Sequence, residues 1–314
     1  MFDLDALRCA VEARARVARV VIASVDGSSP REAGAAMLVW ADGSEGTIGG
    51  GALEWEATRR AQMVLATGGG TRIDREALGP KLGQCCGGAV TLLTEVYDAK
   101  GIAELDGQDV IARPVDGRDM PLAVRRILGR ARGEGVIPAP TLVQGWMVEP
   151  VARPSRHIWV WGAGHVGRAL VSVLAPLPEL AITWVDVAAE RFPDVVPDAV
   201  TMLPATDPAA LVTHAPATAE HVILTYSHAL DLELCHRLLG RGFVGLGLIG
   251  SQTKWARFRS RLTALGHSPA QIARINCPIG DPSLGKHPQA IALGVATELL
   301  KARTRNASRQ ENAG

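Results

Sequence analysis

Apolar residues fall along this chain in short β-branched runs, separated by stretches with a helical period. Residues 17–25 form a Val/Ile-rich run, 35–40 a second and 89–96 a third that alternates, as half-buried strands do. Residues 4–16 and 52–66 carry helical spacing, and Gly27-Ser28-Ser29-Pro30 is turn chemistry between the first two strands. From 97 to 153 the pattern is less regular, with a helix over 122–132 and one strand over 141–148. Beyond Ala152-Arg153-Pro154-Ser155, which reads as a linker, the rhythm changes. Strands at 157–161, 181–186, 199–203, 221–225 and 244–249 are interleaved with helices at 165–174, 208–213, 230–241, 251–265 and 288–303. That alternation predicts a doubly wound parallel sheet. The tail from Thr304 is polar and reads as frayed. The expected fold class is α/β: an N-terminal α/β domain with its connecting segment over 1–153, and a C-terminal Rossmann-like doubly wound parallel sheet over 154–314.

The length of 314 residues agrees with two domains, because single cores rarely grow past about 250–300 residues. Lysine and arginine total 33 against 32 acids, a formal charge of +1, which argues against a general nucleic-acid or membrane-surface binder. No run reaches the roughly 18 apolar residues that span a bilayer. No signal peptide is expected either, since Asp3, Asp5 and Glu12 precede the first apolar run. Five cysteines without framework spacing point to reduced thiols and a cytoplasmic protein.

The first strand of the second half runs into Gly162-Ala163-Gly164-His165-Val166-Gly167, a G-x-G-x-x-G between strand and helix. The first glycine allows the tight turn, the second lets a pyrophosphate approach the backbone, and the third lets helix and strand pack closely. The helix N-terminus that follows, with His165 at its start, offers free N–H groups to an anion. Asp186 ends the next strand, where an acid can accept from a ribose hydroxyl. A Rossmann shell with another ligand, or none, is equally compatible with these residues. Two further strand ends face the same crevice: Thr225-Tyr226-Ser227-His228, and Gly250-Ser251-Gln252-Thr253-Lys254. Ser251 and Lys254 are suited to phosphate. Ser251 also reads as a plain N-cap, Lys254 as a solvated first-turn side chain and His228 as a capping or core residue.

Two loops of the first half carry chemistry. Gly49-Gly50-Gly51 precedes a helix bearing Glu54, and three successive glycines suit a backbone that approaches a ligand or a second chain. Gly83-Gln84-Cys85-Cys86-Gly87-Gly88 sets adjacent thiols between glycines. Vicinal cysteines rarely pair with each other and lack zinc spacing. Accessible thiols among free backbone N–H groups suit a soft-metal ligand, a persulfide carrier or a redox thiol. Either could equally pack as a small hydrophobe. Cys9, Cys235 and Cys277 are expected to be structural.

Gly27-Ser28-Ser29-Pro30-Arg31 with Gly34-Ala35-Ala36-Met37, Thr47-Ile48-Gly49-Gly50-Gly51 with Glu54, Leu82-Gly83-Gln84-Cys85-Cys86-Gly87-Gly88, and Gly145-Trp146-Met147-Val148-Glu149-Pro150 stand in this order along the chain. Trp161 with the glycine loop, Gly250-Ser251 with Lys254, and Cys277-Pro278-Ile279-Gly280 complete the series. In these segments the chain resembles the XdhC/CoxI family. The resemblance implies an accessory, non-catalytic protein that binds the molybdenum cofactor (molybdopterin), assists its sulfuration by a cysteine desulfurase and delivers it to apo xanthine dehydrogenase, as a homodimer. For such a carrier the phosphate is expected either at Gly49, Gly50 and Gly51 or at the loop of Gly162, Gly164, His165 and Gly167, the polar edges at Gln84 and Glu54, and further contacts at Asp186, Ser251 and Lys254, in a site expected where the two halves meet. Cys85 or Cys86 would ligate the metal or relay sulfur. The family pattern would set a second histidine near His228, and Tyr226 stands there instead. The competing reading from the glycine loop and Asp186 is an NAD(P)-dependent oxidoreductase. A third is a scaffold that joins desulfurase and target enzyme without a ligand.

Overall fold

The computed structural model describes residues 1–79 and 87–311, from residue 302 on as backbone alone. The chain divides into two units, Met1–Ala152 and Arg153–Gly314.

In the first unit, α1 (Leu4–Arg14) leads to β1 (Val17–Asp26), β2 (Ala36–Trp40) and β3 (Gly43–Gly46). Then follow α2 (Gly51–Thr67), β4 (Arg72–Ala77), β5 (Ala89–Tyr97), α3 (Ala99–Ala103), β6 (Val110–Pro114), α4 (Leu122–Glu134), β7 (Thr141–Val143) and β8 (Trp146–Pro150). Five strands form an antiparallel sheet in the order β3-β2-β1-β5-β4. Three more form a second antiparallel sheet, β6-β8-β7. The first seven residues of β1 are buried on both faces, which is why it reads as a nearly continuous apolar run. Side chains alternate faces along a strand. Ala18, Val20 and Ile22 accordingly pack with Leu53, Ala57 and Ala61 of α2, while Val17 packs with Leu7 and Val11 of α1.

Arg19 lies in the second row, and its burial needs a partner. It donates two hydrogen bonds to Glu149 of β8, at 3.0 and 2.8 Å. Arg113 of β6 adds a third at 2.5 Å and reaches Glu95 of β5 at 2.6 Å. Burial works to raise the Glu149 carboxyl, but Arg19 and Arg113 hold it down at about 2. The four charges tie the two sheets of this unit together.

The structure adds β3, α3 and β6, which the sequence reading did not separate, and departs from it at three further points. The strand expected over 141–148 is a hairpin, because Gln144 (φ 50°) and Gly145 (φ 81°) form a two-residue turn with positive φ at both positions. β4 is not expected from the sequence, since Arg-Ile-Asp-Arg-Glu-Ala lacks apolar alternation; it is an edge strand whose charges are paired, Arg72 with Asp74 of the same strand and Glu76 with Arg60 of α2. Cys9, expected to be structural, is exposed on α1.

The second unit runs β9 (Arg156–Trp161), α5 (His165–Leu174), β10 (Leu180–Asp186), β11 (Val200–Pro204), β12 (Glu220–Ile223), α6 (His228–Arg241), β13 (Gly245–Leu248), α7 (Gln252–Ala264), α8 (Pro269–Ile272), β14 (Ile275–Asn276) and α9 (Pro288–Glu311). Residues expected as a helix after β11 form a 3-10 helix, Pro208–His214, started by Asp207 and Pro208. All six strands are parallel, in the order β11-β10-β9-β12-β13-β14. This is the doubly wound Rossmann order, and the chain reverses direction across the sheet between β9 and β12. Ile158 and Val160 pack on α5 and α9; Trp159 and Trp161 pack on α6 and α7. Among the described residues, no helix is long and apolar enough to cross a membrane.

Candidate functional site

Ligands of open α/β sheets bind beyond the carboxyl ends of the strands, at the point where the strand order reverses. Here that point lies beside β9 and β12, and the glycine loop Gly162–Gly167 occupies it. Each glycine has a distinct reason. A Cβ on Gly162, whose φ is +122°, would lie 2.6 Å from the Leu224 carbonyl oxygen. On Gly167 it would lie 2.1 Å from the Gly162 carbonyl oxygen. On Gly164 it would meet nothing within 4 Å, so the second glycine is the one with open space beside it. His165 is exposed at the first position of α5.

Three side chains pin this loop. Trp184 Nε1 donates to Gly162 O at 3.0 Å, and Arg168 Nε donates to Ala163 O at 3.1 Å. Asp186 Oδ2 accepts the Ala163 N–H at 2.5 Å, while its Oδ1 accepts the Val187 N–H at 2.7 Å. The carboxylate expected to meet a ribose is therefore buried and already directed at the backbone of the loop. Arg191 stands 3.5 Å from Asp186 Oδ1 and, on its other side, 5.1 Å from the ring centre of Tyr226. Tyr226 is 69% exposed, so it serves as a platform rather than as core.

The next strand ends carry a second cluster, built on a residue the sequence reading did not single out. Asp231, on the first turn of α6, is fully buried. Its Oδ1 accepts from the Thr225 N–H (3.1 Å) and hydroxyl (2.7 Å), and its Oδ2 from Lys254 Nζ (2.6 Å). Lys254 Nζ also donates to Ile249 O at 2.9 Å. Ser251 is the N-cap of α7, its hydroxyl accepting the Lys254 N–H at 3.2 Å. The sequence signal for Asp231 was weak: an acid four residues after a capping serine, with its lysine 23 positions away.

In the first unit, the loop before α2 turns back on itself. Gly49, Gly50 and Gly51 all have positive φ. Their loop converges on the Glu54 carboxylate. Glu54 Oε2 accepts from the Thr47 hydroxyl (2.5 Å), the Ile48 N–H (2.9 Å) and the Gly50 N–H (3.1 Å). Burial works against the charge, yet these donors keep the Glu54 carboxyl below its ordinary range. Gln84, Cys85 and Cys86 lie outside the described residues. Of the other thiols, Cys235 is buried and its pKa is pushed up by that burial; the Cys277 thiol is raised to about 11, again chiefly by burial.

The parallel sheet and its glycine loop define the second unit as a Rossmann domain. The model of the XdhC Rossmann domain matches residues 158–299, and that of the XdhC and CoxI family matches residues 10–75. The chain belongs to the XdhC and CoxI family. Among curated proteins it is similar to the uncharacterized protein YqeB of Escherichia coli K12, with 27% identity over 284 residues. The match covers 88% of this chain and 41% of YqeB, so the chain spans less than half the length of that relative. Among solved structures it is similar to a Bacillus halodurans protein described as a xanthine dehydrogenase, at a TM-score of 0.70 and 21% identity, covering 97% of each chain. That likeness is one of fold.

Proposed function

We propose that this chain is an accessory factor of xanthine dehydrogenase that carries the molybdenum cofactor, assists its sulfuration and passes it to the apo enzyme. The observation that carries the reading is the presence in one chain of both family stretches, residues 10–75 and the Rossmann unit over 158–299. Membership of this family implies an accessory role beside that enzyme. The fit to a phosphorylated, hydrogen-bonding ligand rests on the carboxyl end of the parallel sheet. There the loop is held rigid by Trp184, Arg168 and Asp186, and the space beside Gly164 is open. When bound, the cofactor would supply a molybdenum centre with a terminal sulfide. The chain's part is to hold its polar edges and keep solvent from it. Cys85 and Cys86 are proposed as the thiols that meet sulfur or metal, with Gln84 beside them. A cysteine desulfurase, xanthine dehydrogenase and a second copy of the chain are the proposed partners, in the cytoplasm.

The glycine loop also favours a dinucleotide, hence an NAD(P)-dependent oxidoreductase. The Asp186 carboxylate, already accepting two backbone N–H groups, makes that the weaker reading. Native mass spectrometry of protein purified from a host that makes the cofactor, with metal analysis, separates the two. Molybdenum and pterin in near-stoichiometric amount are expected. Absence of both, together with saturable micromolar binding of NADH by fluorescence, would overturn the carrier reading.

A further inference from the structure

Two glycine loops are candidates for the anchor of an anionic group, and in each at least one backbone donor is already engaged by the chain's own carboxylate. The loop before α2 directs the Ile48 and Gly50 N–H groups at its own Glu54. The Rossmann loop directs the Ala163 N–H at Asp186, and its mouth is flanked by Arg191 lying against Tyr226. A third place in the same unit has the opposite character. A cavity of ≈ 480 Å³ beside α7 is lined by His228, Ser251, Thr253, Lys254, Arg257 and Arg261. Its remaining lining residues are Phe258 and Ser260, so the wall is made of three cations, hydroxyls, one imidazole and one phenyl ring, with no carboxylate.

The spacing explains how the wall forms. Lys254, Arg257 and Arg261 stand at i, i+3 and i+7 of one helix and therefore share a face. Phe258, on the same face, is buried and lies 5.3 Å from Lys254 Nζ, anchoring that face to the core. Like charges at this spacing repel one another. Lys254 is neutralised from behind by Asp231. The net charge of the cavity therefore comes from Arg257 and Arg261, both exposed. Two guanidinium forks beside serine and threonine hydroxyls match the tetrahedral oxygens of a phosphate ester.

We infer that this cavity anchors a phosphate group, and that Arg257 and Arg261 are its principal contacts. The identity of the ligand rests on the function proposed above: the group is the terminal phosphate of the carried cofactor. The anion site itself does not depend on that reading.

The test uses the full chain and inorganic pyrophosphate, followed by calorimetry at low and moderate salt. Wild type is expected to bind it more weakly as salt rises. Arg257→Ala with Arg261→Ala is expected to lower the affinity at least tenfold, and Arg→Lys at both positions to restore part of it. Arg259→Ala removes the same charge from the same helix outside the cavity, and is expected to leave binding unchanged. Unfolding curves of all variants verify that the fold is intact.

Binding unchanged in the double variant would overturn the site. So would binding lost in Gly164→Val but kept in the double variant, which would return the anchor to the glycine loop. Unchanged pyrophosphate binding with lost capture of xanthine dehydrogenase would make the arginines a protein-docking surface and overturn it equally. A second arm measures cofactor content of the purified variants. Loss of both pyrophosphate affinity and cofactor in the double variant supports the full inference. If wild type binds pyrophosphate through these arginines but holds no cofactor, the anion site stands and the carrier reading falls.

Discussion

Asp231→Asn removes one charge from a buried cluster and leaves the side-chain shape almost unaltered. Asp231 is fully buried and the Lys254 side chain is 12% exposed. The asparagine carbonyl oxygen can still accept from Thr225, so the main loss is the counter-charge of Lys254. Removing one member of a buried ion pair costs about 3–5 kcal/mol. The low end, about 3 kcal/mol, is appropriate, because the Ile249 carbonyl still accepts one bond and the lysine stem can swing outward. At about 2–4 °C per kcal/mol for a unit of this size, the midpoint should fall by roughly 6–12 °C. Urea unfolding of wild type, Asp231→Asn, Lys254→Met and the double variant closes a cycle. The double variant should be more stable than the sum of the single losses by about 2 kcal/mol. The same substitution leaves Lys254 uncompensated beside the cavity, so pyrophosphate should bind Asp231→Asn more tightly than wild type. Opposite signs for stability and anion affinity are the signature. A stability within 1 kcal/mol of wild type, or a weakened affinity in a folded variant, would refute the electrostatic role given to Asp231.

Two other outcomes are expected. Gly167→Ala places a methyl 2.1 Å from a backbone oxygen and should destabilise severely or abolish folding, while Gly164→Ala meets nothing and should stay within about 0.5 kcal/mol of wild type in thermal unfolding. His221 is buried on β12, and burial lowers its pKa to about 4. A histidine held neutral in the fold stabilises fully above its unfolded pKa near 6.5 and loses that contribution as pH falls toward 4. Stability should therefore drop by about 3 kcal/mol across that window, read as urea midpoints at several pH values. A flat profile between pH 6.5 and 4 would contradict it.

The Rossmann unit was legible because its information is local. Each strand buried on both faces is a short apolar run, each intervening helix has its own period, and the glycine loop is six consecutive residues. Strand ends moved by one or two positions, the larger shift at β12, which closes at Ile223 where Thr225 was expected. The first unit was less legible where burial and polarity conflict. β4 is an edge held by charged pairs, and the 141–148 run conceals a turn that depends on the left-handed φ of Gln144 and Gly145. Partners across long separations could not be read at all. Asp186 with Ala163, Asp231 with Lys254 and Arg19 with Glu149 meet only after the sheets form. Spacing thus identified Asp186, Ser251 and Lys254 as candidates, but the engagement of Asp186 by backbone and of Lys254 by a carboxylate belongs to the folded chain.

The Glu54 carboxylate in the loop before α2 has a kinetic and competitive consequence. A free anion arriving at those N–H groups competes with a rival tethered less than one helical turn away. A short tether corresponds to an effective concentration of the order of millimolar or above. Metabolite anions would have to exceed that level, or bind far more strongly than a carboxylate, to take the place. The loop therefore behaves as a receptor supplied with its own occupant, and its glycines secure the start of α2 under conditions in which an open nest would exchange one small anion for another.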